Sequence, residues 1–146
     1  MKIALSNDHG GTQLKVIISD YLKKFNYEII NLGTDTIVSV DYPDYAYKVA
    51  QLFKKECIDF GILVCGSGIG ISIAANRYSH IRAALCNDIK SCELSRLHND
   101  ANILVLGGRI IKHNIALQCV DKFLSTEFEG GRHINRIDKL SNPPLL

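Results

Sequence analysis

No C-x-x-C pair occurs in this chain, although it carries five cysteines among its 146 residues. An odd count without paired spacing argues against a disulfide framework, and the separation of Cys86, Cys92 and His98 does not fit a zinc site. Reduced thiols in a cytoplasmic compartment are the expectation, with no metal. Long hydrophobic runs are also missing: no stretch approaches the roughly 18 apolar residues of a membrane span. The start, Met1-Lys-Ile-Ala-Leu-Ser6, runs straight into a strand pattern without the layout of a signal peptide. A soluble chain with no membrane partner is therefore expected. Charge of one sign is scarce as well. The net charge of +2 is small, and no basic stripe with interleaved aromatics is present, which argues against nucleic acid as a partner. There is no internal repeat, linker or low-complexity tract.

What is present is enough for one compact domain, residues 1–146, since 47% apolar content can build a full core. Short β-branched runs alternate with longer segments of helical period, the signature of a parallel α/β sheet covered by helices. Five strands are predicted at Lys2 to Leu5, Tyr27 to Leu32, Phe60 to Val64, Arg82 to Cys86 and Ile103 to Leu106. Helices are predicted at Gly11 to Phe25, Tyr45 to Glu56, Ile71 to Tyr78, Ile89 to Leu97 and Lys112 to Ser125, with a last basic helix over about 132–140. Pro143-Pro144 reads as a tail that cannot continue it.

The most informative residue is Cys65. It ends the apolar run Phe60-Gly-Ile-Leu-Val-Cys65 and is followed at once by Gly66-Ser67-Gly68-Ile69-Gly70. Glycines allow tight turns, and the first turn of a helix leaves N–H donors unpaired, so this loop offers an anion cradle. The same partial positive charge favours thiolate over a free thiol of pKa roughly 8.5. Cys57, Cys86, Cys92 and Cys119 sit within or beside apolar patterns and read instead as buried, inert thiols.

Ligands of open α/β sheets bind outside the carboxyl ends of the strands. Asp8-His9-Gly10-Gly11, Asp41-Tyr42-Pro43, Cys65 to Gly70, Asn87-Asp88 and Gly107-Gly108-Arg109 all follow strands. One edge thus gathers a carboxylate, an imidazole, a thiol, an anion cradle and a guanidinium. His98-Asn99 precedes the fifth strand and belongs to the opposite edge, roughly 17 Å away for a five-residue strand. Acting with Cys65, His98 would do so most simply across a two-fold subunit interface. Read locally, the same pair caps a helix and starts a turn. Arg132 and Arg136 share a helical face at i, i+4, as a phosphate clamp or as a solvated face.

The strings Asp8-His9-Gly10, Asp41-Tyr42-Pro43, Cys65-Gly-Ser-Gly-Ile-Gly-Ile-Ser-Ile-Ala-Ala-Asn76, His98-Asn-Asp-Ala-Asn-Ile-Leu-Val-Leu-Gly-Gly-Arg109 and Phe128-Glu-Gly-Gly-Arg-His-Ile-Asn-Arg136 resemble the ribose-5-phosphate isomerase B family. The resemblance spans nearly the whole chain and is weakest over Thr36 to Val40 and after Leu140. It implies a three-layer α/β/α, Rossmann-like fold with a five-stranded parallel sheet. It also implies interconversion of D-ribose 5-phosphate and D-ribulose 5-phosphate through an enediol or enediolate, a step of the pentose phosphate pathway, without metal or organic cofactor.

The roles it implies fall on residues already singled out. Cys65 corresponds to the base, the amides of Gly66, Ser67, Gly68, Ile69 and Gly70 to the enediolate cradle, and Ser67 to a helper in proton movement. Asp8 corresponds to a ligand of sugar hydroxyls, and His98, with Asn99 beside it, to the acid that opens the furanose. His9, Arg132 and Arg136 correspond to phosphate ligands and Arg109 to a further substrate contact. Members resembling this chain are homodimers with composite sites, and a tetramer made of two dimers is compatible with the same layout. Some members place a glutamate base six residues after the cysteine position; here that residue is Ile71, so the chain resembles the cysteine type. Subunits of galactose-6-phosphate isomerase tend to lack the cysteine or the His-Asn pair, and this chain keeps both. Asn7, before Asp8, and Arg77, where lysine is usual, are mild departures.

Two alternatives stand beside this reading. One is a hexose-6-phosphate isomerase acting on allose or galactose 6-phosphate with the same residues. The other is a nucleotide-binding module, with Asp88 after the glycine loop as the ribose ligand; G-x-G-x-G in place of G-x-G-x-x-G argues against it.

Overall fold

Strands β1 (Lys2–Asn7), β2 (Glu28–Asn31), β3 (Phe60–Cys65), β4 (Ala83–Leu85) and β5 (Ile103–Gly107) form one sheet in the computed structural model, which describes residues 1–144. The last two residues of the predicted domain, 145 and 146, lie outside the described residues. All pairings are parallel and the order is β2-β1-β3-β5-β4. The α/β class and the five predicted strands are thus observed. β1, β3 and β5 are the longest and lie in the middle, buried on both faces, which is why they read as unbroken apolar runs.

Six helices connect and cover the strands: α1 (Thr12–Leu22), α2 (Tyr42–Lys54), α3 (Ile69–Ala75), α4 (Ile89–Asn99), α5 (His113–Ser125) and α6 (Ile134–Ser141). Leu14, Ile18 and Leu22 of α1, Cys92 of α4, and Cys119, Val120 and Phe123 of α5 pack on one face of the sheet. Ala46, Val49 and Ala50 of α2 and Ile71, Ala74 and Ala75 of α3 pack on the other. This gives three layers. Phe123, Leu14 and Ile18 are fully buried, and each contributes about 1.5–3 kcal/mol of apolar burial.

Element starts differ from the sequence prediction where backbone chemistry outweighs hydrophobic period. α2 begins at Tyr42, three residues early, because Pro43 sits in the first turn, where its missing N–H costs nothing. α3 begins at Ile69 because Gly68 enters the helix in the left-handed region, at φ +80°. The final helix starts at Ile134, after a 3-10 turn at Gly131–His133, so Arg132 lies in the turn and Arg136 in the helix. Asp100, left-handed at φ 43°, ends α4, so the local role expected of His98-Asn99 as a cap falls one residue later. Cys57 is exposed, unlike the core thiol expected there, since it lies just beyond the end of α2.

At the β4 edge a side chain takes the place of a sixth strand. Asn76 donates from Nδ2 to the Ala83 carbonyl and accepts from the Ala83 N–H at Oδ1, both at 2.9 Å.

α6 buries none of its residues. Ile134 and Leu140 are 48% and 57% exposed, although the helix is strongly amphipathic. No helix among the described residues is long and apolar enough to cross a membrane.

Candidate active site

The carboxyl ends of β1, β3 and β5 open into a cavity of about 430 Å³, lined by Asp8, His9, Gly10, Tyr42, Cys65, Gly66, Ser67, Gly70, Arg109 and Ile110. The strand order makes this crevice: the chain leaves β1 toward β2 on one side and returns to β3 on the other, so connections diverge there. Apart from Tyr42, which opens α2, each lining segment ends or directly follows its strand. The approach is tight, since a Cβ on Gly10 would stand 2.8 Å from the Gly66 nitrogen.

Cys65 is 4% exposed, and its Sγ accepts a hydrogen bond from the Gly68 N–H at 3.1 Å. The left-handed turn at Gly68 thus aims a backbone donor directly at the sulfur. Ile69 N–H is taken by Ser67 Oγ at 3.3 Å. The cradle predicted over Gly66 to Gly70 is therefore divided. Gly68 and Ile69 donate inward, while the amides of Gly66, Ser67 and Gly70 have no protein acceptor among the described residues.

Asp8 is buried, and its Oδ1 accepts from Gly10 N–H at 2.8 Å, fixing the carboxylate while leaving Oδ2 for a ligand. His9 Nδ1 accepts the Val40 N–H at 3.2 Å, which places the proton of the neutral ring on Nε2 as a donor. Arg109 lines this cavity, packed beside Gly66, and has no carboxylate within 4 Å among the described residues. Tyr42, not among the predicted site residues, is the aromatic wall; its place in the Asp41-Tyr42-Pro43 string was the available signal.

His98, Asn99, Arg132 and Arg136 are not in this cavity. His98 and Asn99 end α4, which runs antiparallel to the strands and so finishes at the amino edge. There His98 stacks on His133 with ring centroids 4.4 Å apart and planes inclined by 12°. Burial first, then the nearby His98 and Arg132, lowers the pKa of His133 from the ordinary imidazole value. His133 and its neighbour Glu129 were missed from sequence, because nothing in their spacing to His98 foretells that the chain folds back over the end of α4. Glu129 N–H donating to the Leu97 carbonyl at 3.0 Å makes that return. Asp88 accepts from Ser91 N–H at 2.8 Å and caps α4, which accounts for it without a nucleotide.

The thiol with its cradle thus stands at one edge of the sheet and the imidazole with two guanidiniums nearby at the other. A family model described as Ribose/Galactose Isomerase matches residues 3–140. The chain belongs to this family. Among its similar members, the ribose-5-phosphate isomerase B of Escherichia coli K12 is 43% identical over 140 residues, covering 96% of this chain and 94% of that protein. The solved ribose-5-phosphate isomerase B of Clostridium thermocellum has a TM-score of 0.95 at 51% identity, covering 97% of this chain and 95% of that one. The enzyme of that name from Mycoplasma genitalium, solved with bound ribulose-5-phosphate, has a TM-score of 0.90 at 41% identity, covering 96% and 93%. The Rossmann-like three-layer fold expected of a family member is thus the fold found.

Proposed function

We propose that this chain is an aldose–ketose isomerase that interconverts D-ribose 5-phosphate and D-ribulose 5-phosphate. The observation that carries the reading is the hydrogen bond from Gly68 N–H to Cys65 Sγ in a cavity that also offers unpaired amides. A base and an oxyanion cradle then share one loop. The Cys65 thiolate takes the C2 proton of the open-chain aldose while the amides of Gly66, Ser67 and Gly70 hold the developing enediolate oxygen, a contribution of about 3 kcal/mol per donor. Ser67 passes the hydroxyl proton from O2 to O1, and the Cys65 thiol returns its proton to C1, leaving the ketose. Asp8 orients the sugar hydroxyls. His9 and Arg109 offer donors at the cavity wall.

The ring-opening acid His98 and the clamp Arg132 and Arg136 stand at the far edge, so the complete site takes them from a second copy of the chain. Support for a two-fold assembly comes from two apolar surfaces that a lone protomer leaves open. Ile69, Ile73 and Ile110 surround the thiol side at 54%, 52% and 63% exposure, and α6 leaves Ile134 and Leu140 bare. The unpaired state of all five cysteines supports action in the reducing cytoplasm.

The test is turnover of ribose 5-phosphate beside allose 6-phosphate and galactose 6-phosphate by purified protein in EDTA, following ketose formation. Preference for the pentose is expected. A preference for a hexose would keep the chemistry and overturn the substrate.

A further inference from the structure

Two imidazoles and one carboxylate meet at the amino edge at separations that no hydrogen bond explains. His98 Nε2 is 3.6 Å and His133 Nε2 is 3.8 Å from the same oxygen, Glu129 Oε2. Both distances are too long for a hydrogen bond. His133 is 4% exposed, and its Nε2 is buried with no partner. A buried ring nitrogen left unpaired is costly and asks for a ligand.

The ligand that satisfies all three atoms together is a cation with short bonds to nitrogen and oxygen. The three ligand atoms lie within 4.8 Å of one another. Around a tetrahedral zinc ion, with bonds near 2.0–2.1 Å, neighbouring ligand atoms stand about 3.3 Å apart, close to the 3.6 and 3.8 Å seen from the carboxylate. Two imidazoles and a carboxylate select a borderline-soft ion over calcium or magnesium, which prefer oxygen. The rings are stacked with planes inclined by only 12°, so one must turn for both lone pairs to converge. His98 is the one free to do so: its side chain is 36% exposed against 5% for His133, and that of Glu129 is 55% exposed. Arg132 and Arg136 bring positive charge close by, which limits affinity to a modest value.

We propose that His98, Glu129 and His133 form an inhibitory site for a divalent transition-metal ion of the zinc class. An imidazole whose Nε2 lone pair is held by a metal carries no proton on that nitrogen to give to a ring oxygen, so the bound ion blocks ring opening from it. That consequence rests on the proposed role of His98 as the acid; the binding of the ion does not.

The test is Zn²⁺ titration by calorimetry, with Co²⁺ absorption as the spectroscopic readout, on protein carrying Cys65→Ser so that the active thiol cannot compete. One ion per chain is expected, with affinity falling on the order of tenfold or more in Glu129→Gln and in His133→Asn. Glu129 is exposed, so its variant keeps the fold even if the buried His133 variant does not. Absence of binding at about 1 mM, or binding unchanged in Glu129→Gln, overturns the site. In protein with Cys65 intact, Zn²⁺ should inhibit in a manner reversed by EDTA and weakened by Glu129→Gln to the same degree. Stoichiometric binding without inhibition would uphold the site and overturn the acid role of His98.

Discussion

A methyl group on Gly70 would stand 2.5 Å from Cζ of Tyr42 and 2.9 Å from its hydroxyl. The first turn of α3 is thus fitted against the aromatic wall of the cavity, with room for hydrogen only. In Gly70→Ala the ring gives way, because Tyr42 is 40% exposed and the helix is anchored by buried Ile71. Folding stability is expected to fall by less than about 1 kcal/mol. The reshaped wall should raise KM for ribose 5-phosphate on the order of tenfold. A double-mutant cycle with Tyr42→Ala should give a coupling above about 0.5 kcal/mol, and strict additivity would sink the contact.

Gly68→Ala should behave differently, since its backbone sits at φ +80° and its Cβ would meet Leu85 Cδ1 at 2.4 Å. The left-handed conformation alone costs about 1–2 kcal/mol in a residue with a side chain. The variant should lose that or more in a urea melt. It should also alkylate Cys65 with iodoacetamide more slowly, because the N–H that donates to Sγ is displaced. Alkylation at the wild-type rate would remove Gly68 from the activation of the thiol.

Cys65→Ala and His98→Ala should each lose at least about 100-fold in kcat on ribose 5-phosphate. Mixed and allowed to exchange subunits, the two inactive proteins should regain activity, since one of the two sites in a mixed dimer holds both intact residues. Failure to recover activity, with exchange verified by native mass spectrometry, would rule out the shared site.

Lys15 is buried and pairs with Asp35, with the Thr34 carbonyl as a further acceptor at 2.7 Å. Hydrogen bonds from Lys15 and then Asn31 hold the Asp35 carboxyl below its usual range. A carboxylate whose folded pKa is depressed stabilises the fold fully above the unfolded value and loses that contribution as pH falls through the folded one. The pair should therefore support the loop after β2 at pH 7 and fail progressively below about pH 4. Asp35→Asn should cost about 1 kcal/mol at pH 7, a modest figure because the carboxylate is exposed. Urea melts of the two proteins should converge at low pH; parallel curves at both pH values would show that the pair carries no linkage.

The three central strands are legible because each is buried on both faces and so reads as an apolar run, and their carboxyl ends, with the loops that follow, locate Asp8, His9, Cys65 and Arg109 on one edge. Ile69 and Gly70 carry a loop pattern although they open α3, because a left-handed glycine can start a helix ahead of its hydrophobic period. Tyr42 carries a loop pattern for a similar reason, with Pro43 starting α2 early. Glu129 and His133 lie in the Phe128 to Arg136 string, but their meeting with His98 is not legible, since it depends on the path of the chain from α5 back across the end of α4, which no periodicity encodes. The separation of His98 from Cys65, by contrast, followed from counting strands.

Asn76 closes the β4 edge with its own amide, occupying the N–H and the carbonyl of Ala83. An edge strand with free groups is a template on which an extended segment of another molecule can add. A side chain serving as a one-residue strand ends the ladder without offering the next rung. Asn76→Ala would hand both groups of Ala83 to whatever approaches, and the damage would surface as self-association through the sheet at high protein concentration.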